Sequence, residues 1–250
     1  MSNERLSAAI SGAGFTLQDF SDRVGVDPKT VERWITKDRL PHRTHRMSAA
    51  AVLGKSDGFL WPATHADARS RSATEAEFVG LYPSRGSVPT NTWTDLLDQA
   101  VESIDLLAYS ASFLHDSIPQ FAERLASRAD GGVRVRLLFG DPDSEAVALR
   151  GREEGIDDLM ADRCRLTWSY YRPVLATSNI QARRHGTTLY ASIFRFDDVL
   201  LANQHVYGTT AGQAPVFHIN RIPGGRLFAH YLDSFERVWQ SAQPVPGPPA

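Results

Sequence analysis

Residues 16–40 read TLQDFSDRVGVDPKTVERWITKDRL, and this stretch decides how the beginning of the chain folds. Thr16, followed three residues later by an acid, is a variant of the capping box and predicts a helix over residues 17–24. Gly25 tolerates a positive φ angle and ends that helix. Asp27 and the proline after it then begin a second helix. The spacing therefore predicts two short helices joined by a tight turn.

The segments on either side extend this helical unit. Apolar residues recur on one face over residues 4–12, and residues 43–53 form another helix that ends at a glycine. Residues 55–75 are rich in Ser, Ala, Asp and Arg, which we interpret as a linker, with Phe59, Leu60 and Trp61 as candidates for packing on another element. The sequence thus predicts an all-α bundle over residues 1–54.

Basic side chains are concentrated around the second helix of the pair. Residues 1–72 carry 11 Lys and Arg against 8 Asp and Glu, whereas the rest of the chain carries 16 against 21. A DNA-reading helix needs long polar side chains near its start to reach base edges, and cations around it to hold phosphates. The candidates for bases are Lys29, Thr30, Glu32 and Arg33, and those for the DNA backbone are Lys37, Arg39, Arg43 and Arg46.

This pattern resembles the helix-turn-helix domains of the xenobiotic-response-element family of bacterial regulators. Ser21 is the small residue that such a domain needs four positions before the turn, and Val26, Val31 and Trp34 follow where the second helix packs on the first. Leu17 stands where the family often has a glutamine that contacts phosphate. The resemblance covers about 50 residues and implies binding to a double-stranded DNA operator. A small helical interaction domain is the alternative.

From residue 76 the pattern changes to alternating strands and helices. Strands are predicted at FVGLYP, IDLLAYSASF, VRVRLLFG and residues 164–171, and again at TLYASIFRF, VLLANQHVYG and PVFHIN. The segment LFAHYLDSFERVWQSA is an amphipathic helix, and the proline-rich tail over residues 241–250 is expected to be disordered. The order predicts an α/β domain with a mixed sheet over residues 76–240.

The arrangement of residues 76–240 resembles one half of a phospholipase D superfamily domain. Enzymes of that superfamily carry His-x-Lys-x-x-x-x-Asp on one strand and a Gly-Ser-x-Asn-like segment on the next, and two copies meet in one site. In LYASIFRFDDVLLANQHVYG, Asp197 matches the aspartate, and Asn203 and Gln204 fall near the Gly-Ser pair. Tyr190 stands in place of the histidine and Ser192 in place of the lysine. The resemblance implies a homodimer.

The two replacements lead us to expect a catalytically inactive domain with no catalytic residues. The family's histidine is the nucleophile and its lysine neutralises the phosphate, whereas a tyrosine is a poor substitute and a serine brings no charge. No lysine follows Lys55. The hollow is expected to bind a small effector, phosphate-containing or nucleotide-like. The candidate ligand-binding residues are Tyr109, Ser110, Ser112, Tyr170, Arg172, Tyr190, Ser192, Asn203 and His205.

Composition limits the class of protein further. A single cysteine, Cys164, excludes an intrachain disulfide and a cysteine-based zinc site. No spacing of His, Asp and Glu marks a metal site, so no metal and no cofactor are expected. No apolar run approaches the roughly 20 residues that cross a bilayer, and the start has no signal-peptide pattern. We therefore expect a cytoplasmic protein without a membrane partner.

The leading interpretation is a bacterial transcription regulator in which ligand binding changes the spacing of two DNA-reading heads. One alternative is a nuclease or phosphodiesterase with a DNA-targeting helix-turn-helix module. Another is that the second domain is a dimerisation module without a ligand.

Overall fold

The computed structural model of the chain describes residues 2–61 and 68–245. The chain divides between Arg69 and Ser70 into two compact units. We call them the helical unit and the sheet unit, and each has its own apolar core. No helix of the described residues is long and apolar enough to cross a membrane.

The helical unit is a bundle whose apolar faces meet in one core around Phe20, Val31 and Trp34. Over residues 2–61 it contains α1 (Glu4–Gly12), α2 (Leu17–Val24), α3 (Pro28–Thr36), α4 (Arg43–Leu53) and α5 (Asp57–Leu60).

Local hydrogen bonds set the turn between α2 and α3. The Thr16 hydroxyl accepts the backbone N–H of Asp19 at 3.1 Å and the Asp19 carboxylate accepts that of Thr16 at 3.2 Å, which confirms the predicted capping box. Gly25 ends α2 with a φ angle of 77°. The Asp27 carboxylate then accepts the backbone N–H of Lys29 at 2.8 Å and begins α3. The two-helix arrangement over residues 16–36 is therefore as predicted.

The linker predicted over residues 55–75 is wrong at both ends. Leu60 and Trp61 pack into the helical core, because burying two large apolar side chains is more favourable than exposing them. At the other end, residues 68–77 form α6 (Ala68–Glu77). The buried Glu77 carboxylate accepts the backbone N–H groups of Leu227 and Phe228, at 2.6 and 3.2 Å. The middle of the predicted linker, residues 62–67, lies outside the described residues.

The sheet unit is built on a mixed sheet, as the sequence predicts. Among the described residues the strand order is β1-β7-β6-β5-β2-β3-β4-β8, with β2, β3 and β4 parallel and the other neighbours antiparallel. The strands are β1 (Phe78–Tyr82), β2 (Ser103–Ala108), β3 (Arg134–Gly140), β4 (Ile180–His185), β5 (Ala191–Phe196), β6 (Val199–Gln204), β7 (Val216–Asn220) and β8 (Gln243–Pro244).

Helices cover both faces of this sheet. Successive side chains of β2 point to opposite faces, so both faces carry apolar side chains that the helices bury. Ile104 and Leu106 enter one apolar cluster with Leu125 of α9, whereas Leu107 enters another with Phe235 of α12. The helices are α7 (Thr90–Gln99), α8 (Ser112–Ser117), α9 (Phe121–Asp130), α10 (Glu145–Glu153), α11 (Leu159–Tyr171) and α12 (Leu227–Ser241).

A row of charges crosses the three central strands. Asp105 of β2 lies in register with Arg136 of β3 and Arg195 of β5 and forms ion pairs with them at 2.6 and 2.7 Å. Arg136 also pairs with Glu236 of α12 at 2.8 Å, and its guanidinium lies 4.5 Å from the ring centre of Phe235. Burial alone would lower the pKa of Arg136, but hydrogen bonds to the two carboxylates raise it. The row therefore joins β3, β2, β5 and α12.

Two other predictions for this unit need correction. The strand predicted over residues 164–171 is wrong, because that segment lies in α11: Cys164, Thr167, Trp168 and Tyr171 are buried, and their spacing of three and four residues is helical. The disordered tail is wrong in part. Residues 243–244 form β8 beside β4, and the backbone N–H of Val245 donates to the Ala182 carbonyl at 2.9 Å. Residues 246–250 lie outside the described residues.

Replacement of Gly25 by Ala is expected to destabilise the helical unit by about 1 kcal/mol, because a Cβ atom disfavours its φ of 77°. No atom lies within 4 Å of the added Cβ, so backbone strain is the only penalty. Gly12→Ala is the matched control, because its Cβ also meets open space and its φ is ordinary. Amide hydrogen exchange in α2 and α3 measures the effect, and equal protection in the two variants would contradict the expectation.

Candidate functional site

The predicted DNA-reading side chains lie on the surface of the helical unit. Lys29, Glu32 and Arg33 are exposed on α3, and Thr30 is half-buried beside them. Lys37, Arg39 and Arg43 are exposed in the segment that follows. Among residues 2–61 and 68–245, no ion pair involves any of the five basic residues in this set. We call these five the basic face: Lys29, Arg33, Lys37, Arg39 and Arg43.

Arg46 is the exception among the predicted backbone contacts. Its Nε atom lies 3.0 Å from an Asp57 carboxylate oxygen, and its Nη1 atom donates to the Pro41 carbonyl at 3.1 Å. The side chain is only 15% exposed. Arg46 thus joins α4 to α5, and this geometry does not support the predicted phosphate contact.

The sheet unit has a cavity of about 310 Å³ at one edge of the sheet, where β2 and β6 end and β5 begins. These ends meet because β5 runs antiparallel to both of its neighbours. Five predicted ligand residues line the cavity: Tyr109, Ser110, Ser112, Ser192 and His205. Charged side chains that the sequence analysis missed also line it: Arg85, Asp116, Glu154 and Arg163.

Three predicted ligand residues lie outside the cavity. Tyr190 precedes β5, so the alternation of the strand does not reach it, and it is 83% exposed. Tyr170 is in α11 and stacks on His115, with ring centres 4.2 Å apart. Arg172 is exposed in the turn after that helix. Tyr170 and Arg172 lie away from the cavity because residues 164–171 form part of a helix instead of the predicted strand.

Ser192 and His205 form a hydrogen-bonded pair at the cavity wall. The Ser192 Oγ and His205 Nε2 atoms are 3.0 Å apart, and His205 Nδ1 lies 3.1 Å from the Leu189 carbonyl oxygen. Because a carbonyl only accepts, we assign the proton to Nδ1, which leaves Nε2 to accept the serine hydroxyl. Burial, helped by Arg150 and Arg85, lowers the pKa of His205 to about 4. The imidazole is therefore neutral at pH 7.

Arg85 brings a positive charge to the cavity. Burial lowers the pKa of Arg85 to about 10, with Glu154 opposing the shift and Arg163 adding to it, so the guanidinium stays charged at pH 7. Its Nη1 atom donates to the Asn203 Oδ1 atom at 3.4 Å, and its Cζ atom lies 4.0 Å from the ring centre of Phe113.

Asn203 is a positioning residue behind the cavity. It is fully buried, and its Nδ2 atom donates to the Ala214 and Pro215 carbonyls at 3.2 Å. These bonds direct its Oδ1 atom toward Arg85. The only signal for Arg85 in the sequence is an arginine in a Ser- and Gly-containing turn directly after a predicted strand.

α11 supplies the second basic group of the cavity, Arg163. On the same helix, the Thr167 hydroxyl lies 3.0 Å from that of Ser110, which joins α11 to the end of β2. Glu154 also reaches the cavity, but its carboxylate pairs with Arg150 at 2.7 Å. The predicted strand over residues 164–171 concealed this helical face.

Asp197, the match to the motif's aspartate, lies at the other end of β5 from the cavity. Its carboxylate accepts the backbone N–H groups of Val101, Glu102 and Ser103, at 2.7, 2.9 and 2.7 Å. Burial would raise the pKa of Asp197, but these three bonds lower it. Its observed role is to hold the β5–β6 turn against the start of β2.

Among the described residues, neither Cys164 nor the side chains that can bind metals belong to a reactive cluster. The buried Cys164 thiol donates to the Tyr109 carbonyl at 3.2 Å, and burial raises the pKa of Cys164 to about 12. Within the part of the chain that the structure describes, no three His, Cys, Asp or Glu side chains are grouped to hold a metal ion.

The lowered pKa of His205 predicts a loss of stability in mild acid. Between its ordinary value of 6.5 and about 4, the unfolded chain binds a proton that the folded chain does not, so the free energy of unfolding falls as the pH falls through this window. His205→Asn keeps an N–H for the Leu189 carbonyl but does not titrate. Urea unfolding measured from pH 7 to pH 4 should give a smaller slope of the unfolding free energy against pH for this variant.

The slope will not vanish in the variant, because His115, His185 and His218 have pKa values lowered mainly by burial and act in the same direction. Equal slopes for the wild type and His205→Asn would contradict the prediction.

The solved structures that are similar to this chain share low sequence identity with it and have low TM-scores. An archaeal chromatin protein, TrmBL2, described with a novel mode of DNA binding, has 13% identity and a TM-score of 0.43, over 92% of this chain and 68% of its own. The phospholipase D family member Nuc from Salmonella typhimurium has 18% identity and a TM-score of 0.41, over 66% and 95%. NucT from Helicobacter pylori has 12% identity and a TM-score of 0.43, over 66% and 98%. We therefore argue function from the residues of this chain.

At the level of sequence, no curated protein matches the chain. The model of a family described as a domain of unknown function, DUF5919, matches residues 75–204. This match covers more than half of the 250 residues and contains the strands β1 to β6, and the chain therefore belongs to the DUF5919 family.

Proposed function

We propose that this protein is a sequence-specific DNA-binding transcription regulator whose sheet unit dimerises and senses a small effector. The observation that carries the proposal is the basic face of the helical unit. None of its five cations forms an ion pair among the described residues. Lys29 and Arg33 lie on the short helix α3, and Lys37, Arg39 and Arg43 follow the end of this helix. Exposed cations in such an arrangement supply the phosphate contacts and the long polar side chains that DNA recognition needs.

The packing of α3 supports its role as the recognition helix. Val31 and Trp34 are buried in the core of the helical unit, where the Trp34 ring contacts Trp61, so the helix is held by one side. Lys29 and Arg33 are exposed from the same helix, and Thr30 and Glu32 lie between them. A helix held in this way can enter a major groove, where arginine and lysine pair with guanine edges. We infer a helix-turn-helix of the xenobiotic-response-element type.

A homodimer follows from the same proposal. One helix-turn-helix unit reads only half a site, and paired half-sites need two units related by symmetry. We infer that the sheet unit supplies the pairing surface.

We also propose that the sheet unit binds its effector without hydrolysing phosphodiesters. The support is the position of the motif residues. Tyr190 is 83% exposed and lies outside the cavity, and Asp197 is occupied by three backbone N–H groups. Ser192 is neutral, and its hydroxyl is bonded to an imidazole with a pKa of about 4. The cavity then binds the effector, which we propose to be a phosphate-containing or nucleotide-like small molecule.

Titration of the full chain against its own promoter region tests DNA binding. We expect Arg33→Ala to weaken specific binding by about 10-fold or more, because one bidentate base contact contributes about 1–3 kcal/mol. Lys37→Ala should weaken binding to all sequences and reduce the salt slope by about 1. Arg165→Ala is the charge-matched control, because Arg165 is 53% exposed on α11 and outside the helical unit.

Two results would count against the regulator. One is equal affinity for promoter and unrelated DNA at every salt concentration. The other is unchanged affinity in both variants of the basic face. A stoichiometry of one chain per operator would remove the dimer and leave the DNA-binding proposal in place.

Assays with bis(4-nitrophenyl) phosphate and with single-stranded DNA test the catalytic proposal. We expect no turnover, because the cavity holds a weakly basic imidazole and no lysine. The control variants are Ser192→Ala and His205→Asn. Turnover that disappears in either variant would establish an enzyme, whereas turnover retained in both would come from a contaminant.

A further inference from the structure

The cavity of the sheet unit contains two guanidinium groups without a carboxylate partner among the described residues, those of Arg85 and Arg163. The other arginine near them is neutralised, because Arg150 pairs with Glu154 at 2.7 Å and with Glu153 at 3.4 Å. A cation withdrawn from water is costly unless an opposite charge faces it. The pair of guanidinium groups therefore indicates an anionic occupant.

Contacts with neighbouring side chains fix the position of the Arg85 guanidinium. Its Nη1 atom donates to the fully buried Asn203, and its guanidinium plane is supported by Phe113 at 4.0 Å. These contacts leave further N–H groups of the same guanidinium for a ligand, since a guanidinium has five donors. An arginine fixed in this way presents a fork that matches a carboxylate or phosphate group.

The Tyr109 and Phe113 rings of the cavity are packed against other side chains. The Tyr109 ring centre lies 5.7 Å from those of His205 and His185. Arg85 lies over the Phe113 ring, and Trp93 and Phe194 pack against that ring at 5.2 and 5.5 Å. Tyr170, a ligand-binding candidate from the sequence, lies outside the cavity. The packing of Tyr109 and Phe113 therefore disfavours recognition of a nucleobase by stacking on these two rings.

The remaining lining groups suit hydroxyls. Ser110, Ser112 and Thr210 supply hydroxyl groups, and the exposed Asp116 supplies a carboxylate that forms no ion pair among the described residues. A carboxylate accepts hydrogen bonds from ligand hydroxyls, whereas it would repel a second phosphate nearby. The volume of about 310 Å³ lies at the lower end of the range for small-molecule sites.

We propose that this cavity binds a small hydroxylated anion without an aromatic base, a sugar phosphate or a sugar acid, with the anionic group between Arg85 and Arg163. The hydroxyls of the ligand face Ser112, Thr210 and Asp116. This inference rests on the proposed role of the sheet unit as a sensor, and it narrows the effector class by removing nucleotides.

Calorimetric titration of the full chain with ribose 5-phosphate, gluconate and AMP tests the class of ligand. We expect ribose 5-phosphate or gluconate to bind, and their comparison distinguishes a phosphate from a carboxylate as the anionic group. AMP should bind no tighter than ribose 5-phosphate, because the Tyr109 and Phe113 rings are already packed against other side chains.

Arg85→Gln and Arg163→Gln should each weaken the better ligand by about 10-fold or more, because each removes a charge-assisted hydrogen-bonding group. Arg165→Gln is the control on the same helix, because its side chain is 53% exposed, pairs with Asp143 and Asp162, and lies outside the cavity; it should bind like the wild type. Circular-dichroism melting checks the fold of each variant. Arg163→Gln decides the question if Arg85→Gln does not fold.

Three results would overturn the inference: no heat of binding with either sugar anion at millimolar concentration, affinity unchanged in both cavity variants, or AMP binding at least about 10-fold tighter than ribose 5-phosphate. DNA titration of the same samples separates the two proposals. DNA binding without anion binding removes this inference alone, whereas anion binding without DNA binding removes the regulator alone.

Discussion

The ion pairs of Asp105 fix the centre of the sheet unit. The carboxylate is fully buried, and its partners on the two neighbouring strands leave it only one favourable register. A slip by one residue would turn Asp105 toward the apolar cluster on the other face, and it would leave Asp105 and Arg195 without their ion pair. The same register sets where β2 ends and where β5 begins. Those two ends carry Tyr109 and Ser192, so the shape of the cavity depends on a salt bridge that does not line it.

Local sequence was sufficient where local physics decides the structure. The bonds between Thr16 and Asp19, the φ angle of Gly25 and the cap at Asp27 each involve residues at most three apart, and all were predictable. The β5–β6 hairpin was predictable for the same reason, with Asp197 and Asp198 as its turn. Five of the nine predicted ligand residues line the cavity because they were taken from strand ends, and the ends of β2 and β6 meet the start of β5 there.

Prediction failed where a distant contact decides. Residues 164–171 have a pattern compatible with a strand or a helix, and burial against β3 and Tyr109 selects the helix. Trp61 was a candidate for packing inside a predicted linker, but the sequence did not show its partner, which is Trp34 in the helical core. Arg85 and Arg163 are 78 residues apart in the sequence, and no spacing rule connects a turn after β1 with a face of α11. The cations of the cavity were therefore beyond sequence reasoning.

The position of β1 places the cavity a short stretch of chain away from α6. Among the described strands β1 stands at one end of the order, hydrogen-bonded to β7 alone, and its register shifts between Phe78 and Gly80. Glu77 precedes it and Arg85 follows it, so the carboxylate that caps α12 and a guanidinium of the cavity belong to residues eight positions apart. A strand with one neighbour can shift by breaking one ladder instead of two. Because α6, β1 and Arg85 follow one another along the chain, a shift of β1 would act on both the cavity and α6.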